Sequence, residues 1–245
     1  MKRLIVVSMA IAAMILGSVF MVYVGIPLVS THFHYERYLD PDETRYGYIE
    51  IRVQYANVTV RFEDDPTLLY RIDVVQYQPG WRHRVYNGDS ANYVGIDIAG
   101  RDRWGNPERT ERVDIVLGTG THYDIYIGHW NLNVSVVYDN GVRLGSDELR
   151  IDCTGTVYFE FTEDVSFGAS GLYVHISSNA NATLVVDLPP GMNGRMRMNP
   201  YSTIISQWTY GWFLVDFYVW GTASLDLPRL NIELGTVRVS FHLSI

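Results

Sequence analysis

The chain has 245 residues, with 27 acidic against 19 basic side chains and a formal net charge of −8. Hydrophobic residues make up 47% of it and charged residues 19%, a composition typical of folded proteins and not of disordered ones. Lys2 is the only lysine and Cys153 the only cysteine, which excludes lysine-based covalent catalysis, Walker-type phosphate binding, internal disulfides and cysteine-rich zinc sites.

An uncharged apolar segment over residues 4–30 follows the basic residues Lys2 and Arg3. It is longer than the roughly 20 residues that cross a bilayer core, and no A-x-A-like site closes it. We therefore predict an uncleaved transmembrane signal anchor, with a cleaved leader as the alternative. The positive-inside rule keeps residues 1–3 as a cytoplasmic tip and places the rest of the chain outside the cell membrane.

A juxtamembrane linker over residues 31–47 is predicted to join the anchor to an extracytoplasmic β domain over residues 48–245, with a candidate sub-boundary near residue 145. Within the linker, His32 and His34 would share one face of an extended strand, with Glu36 as a nearby acid. Two imidazoles without a clear third ligand make a weak metal site, so a solvated linker is the favoured interpretation.

Apolar and polar residues alternate from Tyr48 onward, and this period of two predicts a hairpin over residues 49–62 with one solvated face. Residues 78–112 are rich in Gly, Asn, Asp and Arg, and we predict a long excursion that contains a short hairpin. Alternating apolar residues predict further strands over residues 113–117, 123–127, 132–138 and 142–144.

One pattern recurs along the chain. Residues 149–161 and 230–241 both read Leu-x-Ile-acid, followed by Gly-Thr-Val and alternating apolar residues, and residues 49–62 and 173–189 are looser copies. Recurring short hairpins that end in Gly or Asn turns are typical of stacked β units. The predicted fold is therefore all-β, either a stacked-hairpin β-solenoid or a β-sandwich, after a single N-terminal transmembrane helix.

The run from Ala182 to Met198, ATLVVDLPPGMNGRMRM, contains a strand, a Leu-Pro-x-Gly step and a second alternating strand. With the strand-Gly-strand units around it, this run resembles the "putative adhesin" family of prokaryotic surface proteins, which are toast-rack-like β-solenoids. The resemblance covers residues 149–243 and implies a surface β-solenoid without catalytic residues to carry over. The irregular segment 78–112 departs from the family pattern.

Three Asn-x-Ser/Thr sequons begin at Asn57, Asn133 and Asn181, and all three lie beside predicted turns. A glycan there would project from the rim of a sheet without disturbing its core. The three asparagines are therefore candidate N-glycosylation sites, in agreement with an outside location.

The most aromatic segment spans residues 208–220. Alternation predicts that Phe213, Val215, Phe217 and Val219 face the core. The opposite face, which carries Trp212, Leu214, Asp216 and Tyr218, is interpreted as a second core contact in preference to a surface for a glycan or protein partner. The candidate binding residues of this segment are Trp208, Tyr210, Trp212, Tyr218 and Trp220.

The remaining polar clusters have simpler interpretations. His122, Tyr123, Asp124 and His129 are interpreted as strand edges and turns. Acidic groups that lack EF-hand or RTX spacing are interpreted as solvated turn caps and not as calcium ligands; they are Glu63-Asp64-Asp65, Asp139-Asn140, Asp147-Glu148 and Glu163-Asp164. We predict no catalytic residue, metal or cofactor, since GxSxG, HExxH and GxGxxG are absent. The acidic outer region disfavours nucleic acid.

These patterns predict a membrane-anchored, extracytoplasmic, non-catalytic β-rich module with an adhesive or structural role. One alternative is a subunit of a membrane assembly or a sensor that pairs with its partner through edge strands. A less favoured alternative is a carbohydrate-active enzyme that uses two facing carboxylates.

Overall fold

The structure is a computed structural model that describes residues 31–39, 46–53, 55–76, 83–90, 93–100, 110–138, 143–144, 147–167, 171–216, 218–222 and 229–245. These residues form an all-β fold, as predicted. Its strands are β1 (Thr31–Tyr38), β2 (Tyr46–Arg52), β3 (Asn57–Phe62), β4 (Leu68–Gln76), β5 (His83–Ser90), β6 (Tyr93–Gly100), β7 (Thr110–Leu117), β8 (His122–His129), β9 (Asn133–Tyr138), β10 (Arg143–Leu144), β11 (Asp147–Cys153), β12 (Thr156–Phe161), β13 (Ser166–Phe167), β14 (Leu172–Ser177), β15 (Asn181–Asp187), β16 (Gly194–Met198), β17 (Thr203–Thr209), β18 (Phe213–Asp216), β19 (Val219–Gly221), β20 (Leu230–Leu234) and β21 (Arg238–Ser244).

Nearly all of these strands belong to two mixed sheets. Sheet A has the order β1-β4-β7-β3-β9-β12-β15-β21-β17, and sheet B has the order β18-β19-β16-β20-β14-β11-β8-β2-β6-β5. The described segments contain no helix long and apolar enough to span a membrane. The predicted anchor, residues 4–30, lies outside the described residues.

The two sheets are built from coils, each of which gives one strand to sheet B and the next strand to sheet A. In both sheets the coils stack in parallel and in the same order: β6/β7, β2/β3, β8/β9, β11/β12, β14/β15, β20/β21 and β16/β17. Inward-facing residues of the two sheets form one hydrophobic core. This is the strand arrangement of a solenoid, and it continues across residue 145 because β8 pairs directly with β11.

The predicted hairpin over residues 49–62 is wrong. Strands β2 and β3 do not pair with each other, since β2 pairs with β6 and β8 while β3 pairs with β7 and β9. The turn at Tyr55, with φ of 57°, carries the chain from one sheet to the other. Both strands still alternate in burial, because each has one face on the shared core. Alternation alone therefore does not distinguish a hairpin from a coil.

The four copies of the sequence repeat are four coils of the stack, which confirms the repeat. Gly155 shows why glycine recurs at the corner between two sheets. A Cβ atom at this position would lie 1.8 Å from the Leu132 carbonyl oxygen of the neighbouring coil, and that oxygen accepts a hydrogen bond from the Thr156 N–H at 2.9 Å. The corners thus stack too closely for a side chain there.

Antiparallel strands flank the coils at both ends of the stack. Strands β1 and β4 extend sheet A beyond β7, and β5 extends sheet B beyond β6. Strands β5 and β6 are the two strands of the hairpin predicted within residues 78–112. The structure differs from the prediction at residues 31–38, which form strand β1 and not a linker. The physical reason is that Phe33 and Tyr35 alternate with exposed His32 and His34 and pack against the core.

Candidate functional site

The end of the stack formed by β17 and β18, called here the open end, has a stepped shape. Sheet A stops at β17, the strand of the last coil, whereas sheet B continues past β16 with β19 and β18. Each sheet therefore ends on an edge strand that, within the described residues, pairs on one side only. An edge of this kind offers backbone N–H and C=O groups to another strand.

Exposed apolar side chains concentrate at this open end. Among the described residues fourteen large hydrophobic side chains are exposed, and eight of them lie between residues 201 and 218. All four residues of β18 are exposed, with Phe213 at 58%, Leu214 at 63% and Val215 at 68%. Strand β17 adds Ile205 and Trp208, and Trp208 stacks on His242 with ring centroids 3.9 Å apart.

The structure divides the five candidate binding residues into two groups. Trp208, Tyr210 and Tyr218 are exposed, whereas Trp212 is only 4% and Trp220 only 7% exposed. Because Trp212 and Trp220 are part of the core, they cannot form a binding surface without rearrangement.

The two buried tryptophans close the core at the open end. The Trp212 indole N–H donates a hydrogen bond to the Ser244 carbonyl at 3.2 Å, and the Trp220 ring packs edge-on against Phe241 at 5.2 Å. Large aromatic rings with satisfied polar atoms suit this role, because they fill the space that a further coil would occupy.

The prediction that Phe213 and Val215 face the core is wrong, since both are more than half exposed. Strand β18 is the outermost strand of sheet B and lies beyond the last strand of sheet A. Among the described strands, none of the opposite sheet therefore lies against it. Phe217, the third residue of the predicted core face, lies outside the described residues.

The opposite end of the stack carries charged and polar side chains on its edge strand β1. His32 and His34 both contact the Asp73 carboxylate, at 3.0 and 2.8 Å. Burial raises the pKa of Asp73, but the hydrogen bonds from His34 and His32 outweigh it and hold the pKa below its ordinary value. These groups therefore form a surface polar cluster.

Glu36 does not join the two histidines as a ligand. It accepts hydrogen bonds from Arg71 at 2.7 Å and Tyr38 at 3.0 Å, and both lower the pKa of its carboxyl group. Arg71 also contacts Glu63 at 3.1 Å. Within the described residues no group of three His, Cys, Asp or Glu side chains is arranged to hold a metal ion.

The three sequon asparagines lie in one row along a corner of the stack. Asn57 pairs with Asn133, Asn133 with Thr156, and Thr156 with Asn181 on successive strands of sheet A. The Asn133 amide donates to the Asn57 side-chain oxygen at 2.9 Å, and the Thr156 hydroxyl donates to the Asn133 oxygen at 2.6 Å. The coil repeat thus places the three asparagines at equivalent positions of their coils.

This row forms part of a shallow groove of about 580 Å³ on the outer face of sheet A. The groove is floored by amide and hydroxyl groups that can both donate and accept hydrogen bonds. Tyr158, Ile205 and Arg238 also line it. Since Asn57, Asn133 and Thr156 already bond to one another, part of the hydrogen-bonding capacity of the groove is used internally.

Asp147 is a buried acid that sequence reasoning placed in a turn. Its Oδ1 atom accepts a hydrogen bond from the Tyr123 N–H at 2.7 Å, while Oδ2 is buried and has no hydrogen-bond partner among the described residues. Burial raises the pKa of Asp147 to about 7, although the Tyr123 N–H opposes the change. The alternation of Leu149 and Ile151 could have located it, because Asp147 continues their inward-facing series.

Asp147 borders an open depression of about 500 Å³ together with Tyr46, His122, Asp124, Glu148, Gly171 and Tyr173. Glu148 is neutralised by Arg150, whose Nε lies 2.6 Å away. At the border of this depression, Asp147 can therefore remain protonated near neutral pH.

The predicted cluster of His122, Tyr123, Asp124 and His129 does not form one site. Tyr123 points inward and donates to the Leu69 carbonyl at 2.6 Å, and His129 lies at the far end of β8. Of the acidic groups, Asp65 is a turn cap as predicted, because it accepts from the N–H groups of Thr67 and Leu68. Asp139 and Asn140 lie outside the described residues.

Comparison with solved structures found two matches that differ in strength. A "putative cell adhesion protein" from Clostridium sporogenes matches with a TM-score of 0.51 and 8% identity, over 88% of this chain and 99% of that one. A "putative adhesin" from Bacteroides fragilis matches over 88% of this chain and 97% of that one, with a TM-score of only 0.32 and 8% identity. The first likeness shows a shared fold. No protein family and no curated protein sequence matches the chain.

Proposed function

We propose that the chain is an adhesive module, held at the outer face of a membrane by residues 4–30, which makes contacts through its open end. The observation that carries the proposal is the concentration of exposed aromatic and aliphatic side chains at that end. Monomeric soluble proteins rarely expose apolar patches of this kind unless the patch binds something. The fold shared with a protein named for cell adhesion agrees with this role.

The strand order agrees with an anchor that holds the open end away from the membrane. The chain enters the described fold at Thr31, in the outermost strand of sheet A at the far end of the stack from β17. Nine strands at about 4.8 Å spacing put roughly 40 Å between the two ends of sheet A. An anchor that precedes Thr31 would thus hold the stack by one end and leave the open end as the more distant one.

An alternative function, a subunit of a membrane assembly that pairs through edge strands, has its own support. Strands β17 and β18 each present an edge that no other described strand covers. Co-purification in mild detergent separates the two functions, because a stoichiometric partner of a different sequence favours the assembly.

The adhesive function is tested by displaying the full chain on cells and counting their attachment to a layer of the same cells. Phe213→Lys should abolish the attachment that the chain confers, since it places a charge in the apolar surface. The matched control is Trp130→Lys, because Trp130 is also exposed but lies on a corner in the middle of the stack. Equal attachment of all three strains, or equal loss in both variants, would refute the proposal.

The anchor needs a separate measurement. We expect the native protein to resist extraction from membranes by alkaline carbonate and to retain Met1 or residue 2 at its N-terminus. A mature chain that starts near residue 30 would show that the apolar segment is a cleaved leader.

A further inference from the structure

We propose that the open end binds a second copy of the chain, end to end about a two-fold axis, with β17 of each copy pairing antiparallel to β18 of the other. The inference rests on the proposed function only in assigning contacts to the same end, and it names the partner. Three features of the end support it: its stepped shape, the composition of its edge strands and the position of the chain entry.

The step at the open end is self-complementary. Sheet B projects two strands, β19 and β18, beyond the last strand of sheet A. A two-fold axis parallel to the strands places sheet B of one copy in line with sheet A of the other. Strands β18 and β19 of each copy then lie beyond β17 of the other copy, where its sheet A has no further described strand. Two strands then bridge the copies on each side, and the inner faces of both β18 strands gain an opposing sheet.

Strand direction fits this pairing. Strand β18 is antiparallel to β19, which is antiparallel to β16, so β18 runs in the direction of the coil strands of sheet B. Strand β17 follows β16 after a corner of four residues, 199–202, and so runs in the opposite direction in sheet A. The two-fold axis preserves direction along the strands, so β18 of the partner lies antiparallel to β17.

The edge strands at the open end carry few of the charges that normally prevent such pairing. Strand β17, TIISQWT, has no charged residue, and β18, FLVD, has only Asp216. The edge strand of the same sheet at the opposite end, β1, reads THFHYERY and carries Glu36 and Arg37 among its histidines. Proteins protect solvent-exposed edges with charged side chains, so the scarcity of charge on β17 and β18 favours an edge that is covered by a partner.

The apolar surface is of the size that a dimer needs. A standard interface buries about 800 Å² on each partner, and large aromatic side chains contribute roughly 150–250 Å² each when fully buried. Eight exposed apolar residues between positions 201 and 218 supply a surface of this order. Because the same surface serves both copies, the contact closes on itself as a dimer and does not propagate into a filament.

The two-fold arrangement places the chain entries of the two copies at opposite ends of the dimer. Since Thr31 lies at the far end of each stack from β17, anchors that precede it would lie in two facing membranes. The dimer would therefore join two surfaces that both carry this protein, which makes the adhesion homophilic.

The proposal is tested by sedimentation equilibrium of the full chain in mild detergent, over a range of concentrations. We expect a closed monomer–dimer equilibrium that Leu214→Lys in β18 weakens at least tenfold. Gln207→Lys in β17 should weaken it to a similar degree, and provides a second variant if the first fails to fold. The matched control is Tyr38→Lys on the opposite edge strand, which should leave the dimer unchanged.

Other outcomes would overturn the pairing. A chain that stays monomeric at all concentrations, or a dimer that both edge variants leave intact, excludes it. Open-ended polymers that Tyr38→Lys also disrupts would indicate head-to-tail stacking. If the chain is monomeric while Phe213→Lys still abolishes cell attachment, the adhesive function stands and the open end binds a different molecule.

Discussion

Both ends of the stack expose the edges of the two sheets, but the side chains on the edge strands differ between the two ends. At one end β1 and β4 extend sheet A with an edge strand whose outward residues are histidines and an arginine-paired glutamate. At the other end the core is closed by Trp212 and Trp220, and the strands beyond them are apolar and exposed. The first end thus presents charged and polar side chains to solvent, whereas the second presents apolar ones.

The difference shows that closure of the core and protection of the edge are separate functions. At the open end the buried tryptophans should contribute more to the stability of the fold than the exposed side chains near them in the sequence. Substitutions of neighbouring residues in one short segment should therefore have quite different consequences, and this can be measured.

The largest effect is expected for Trp212→Ala. This substitution removes a buried ring and its hydrogen bond to Ser244, and should lower the free energy of unfolding by about 3–5 kcal/mol. Trp208→Ala is the matched control, because Trp208 is 49% exposed; it should cost less than about 1 kcal/mol. Chemical denaturation checks both values, and equal costs would show that the two tryptophans do not have separate roles.

An intermediate effect on stability is expected for the buried Asp147, which lies between the two ends of the stack. The folded-state pKa of Asp147, about 7, lies above its ordinary value of 3.8. The folded protein therefore holds the proton more tightly than the unfolded chain, and stability should fall as pH rises from about 4 through 7.

Asp147→Asn tests this pH dependence. The amide oxygen still accepts from the Tyr123 N–H, but the residue no longer ionises. We expect about 1–3 kcal/mol more stability at pH 8 and a flatter pH profile between 4 and 8, as measured by urea unfolding at several pH values. A variant with an unchanged profile would contradict the assignment.

The smallest effect is expected at the β1 end. Hydrogen bonds from Arg71 and Tyr38 lower the pKa of Glu36, so the stability it contributes is present above its ordinary pKa and is lost as pH falls through the folded-state value. Glu36→Gln should lower the melting temperature by about 1–2 °C at pH 7, since exposed ion pairs contribute little, and its effect should diminish as the pH is lowered below the ordinary pKa of glutamate. A large loss at pH 7 would show that this edge depends on the ion pair for its closure.

The sequence predicted the strands and the repeat well, because both depend on local alternation around a buried face. It did not predict that β2 and β3 lie in different sheets, since a hairpin and a coil have the same alternation. The order of the coils could also not be predicted from the sequence. The last coil in the chain, β20/β21, lies between β14/β15 and β16/β17, and this placement depends on pairing between residues far apart in the sequence.

The candidate site was predicted only in part for a related reason. The segment 208–220 was recognised as unusual, but alternation suggested that Phe213 and Val215 are buried. An apolar strand is buried where a strand of the other sheet packs against it. For β18 this depends on how far each sheet extends, and sheet B extends two strands past the last coil whereas sheet A does not.

The central claim is that the open end makes the adhesive contact. Vesicle clustering tests this claim most directly. Phosphatidylcholine vesicles that carry the full chain are compared by light scattering with vesicles that carry Leu214→Lys or Tyr38→Lys. The account predicts that wild-type and Tyr38→Lys vesicles cluster and that Leu214→Lys vesicles stay dispersed. Dispersed wild-type vesicles, or clustering lost with Tyr38→Lys and retained with Leu214→Lys, would contradict it.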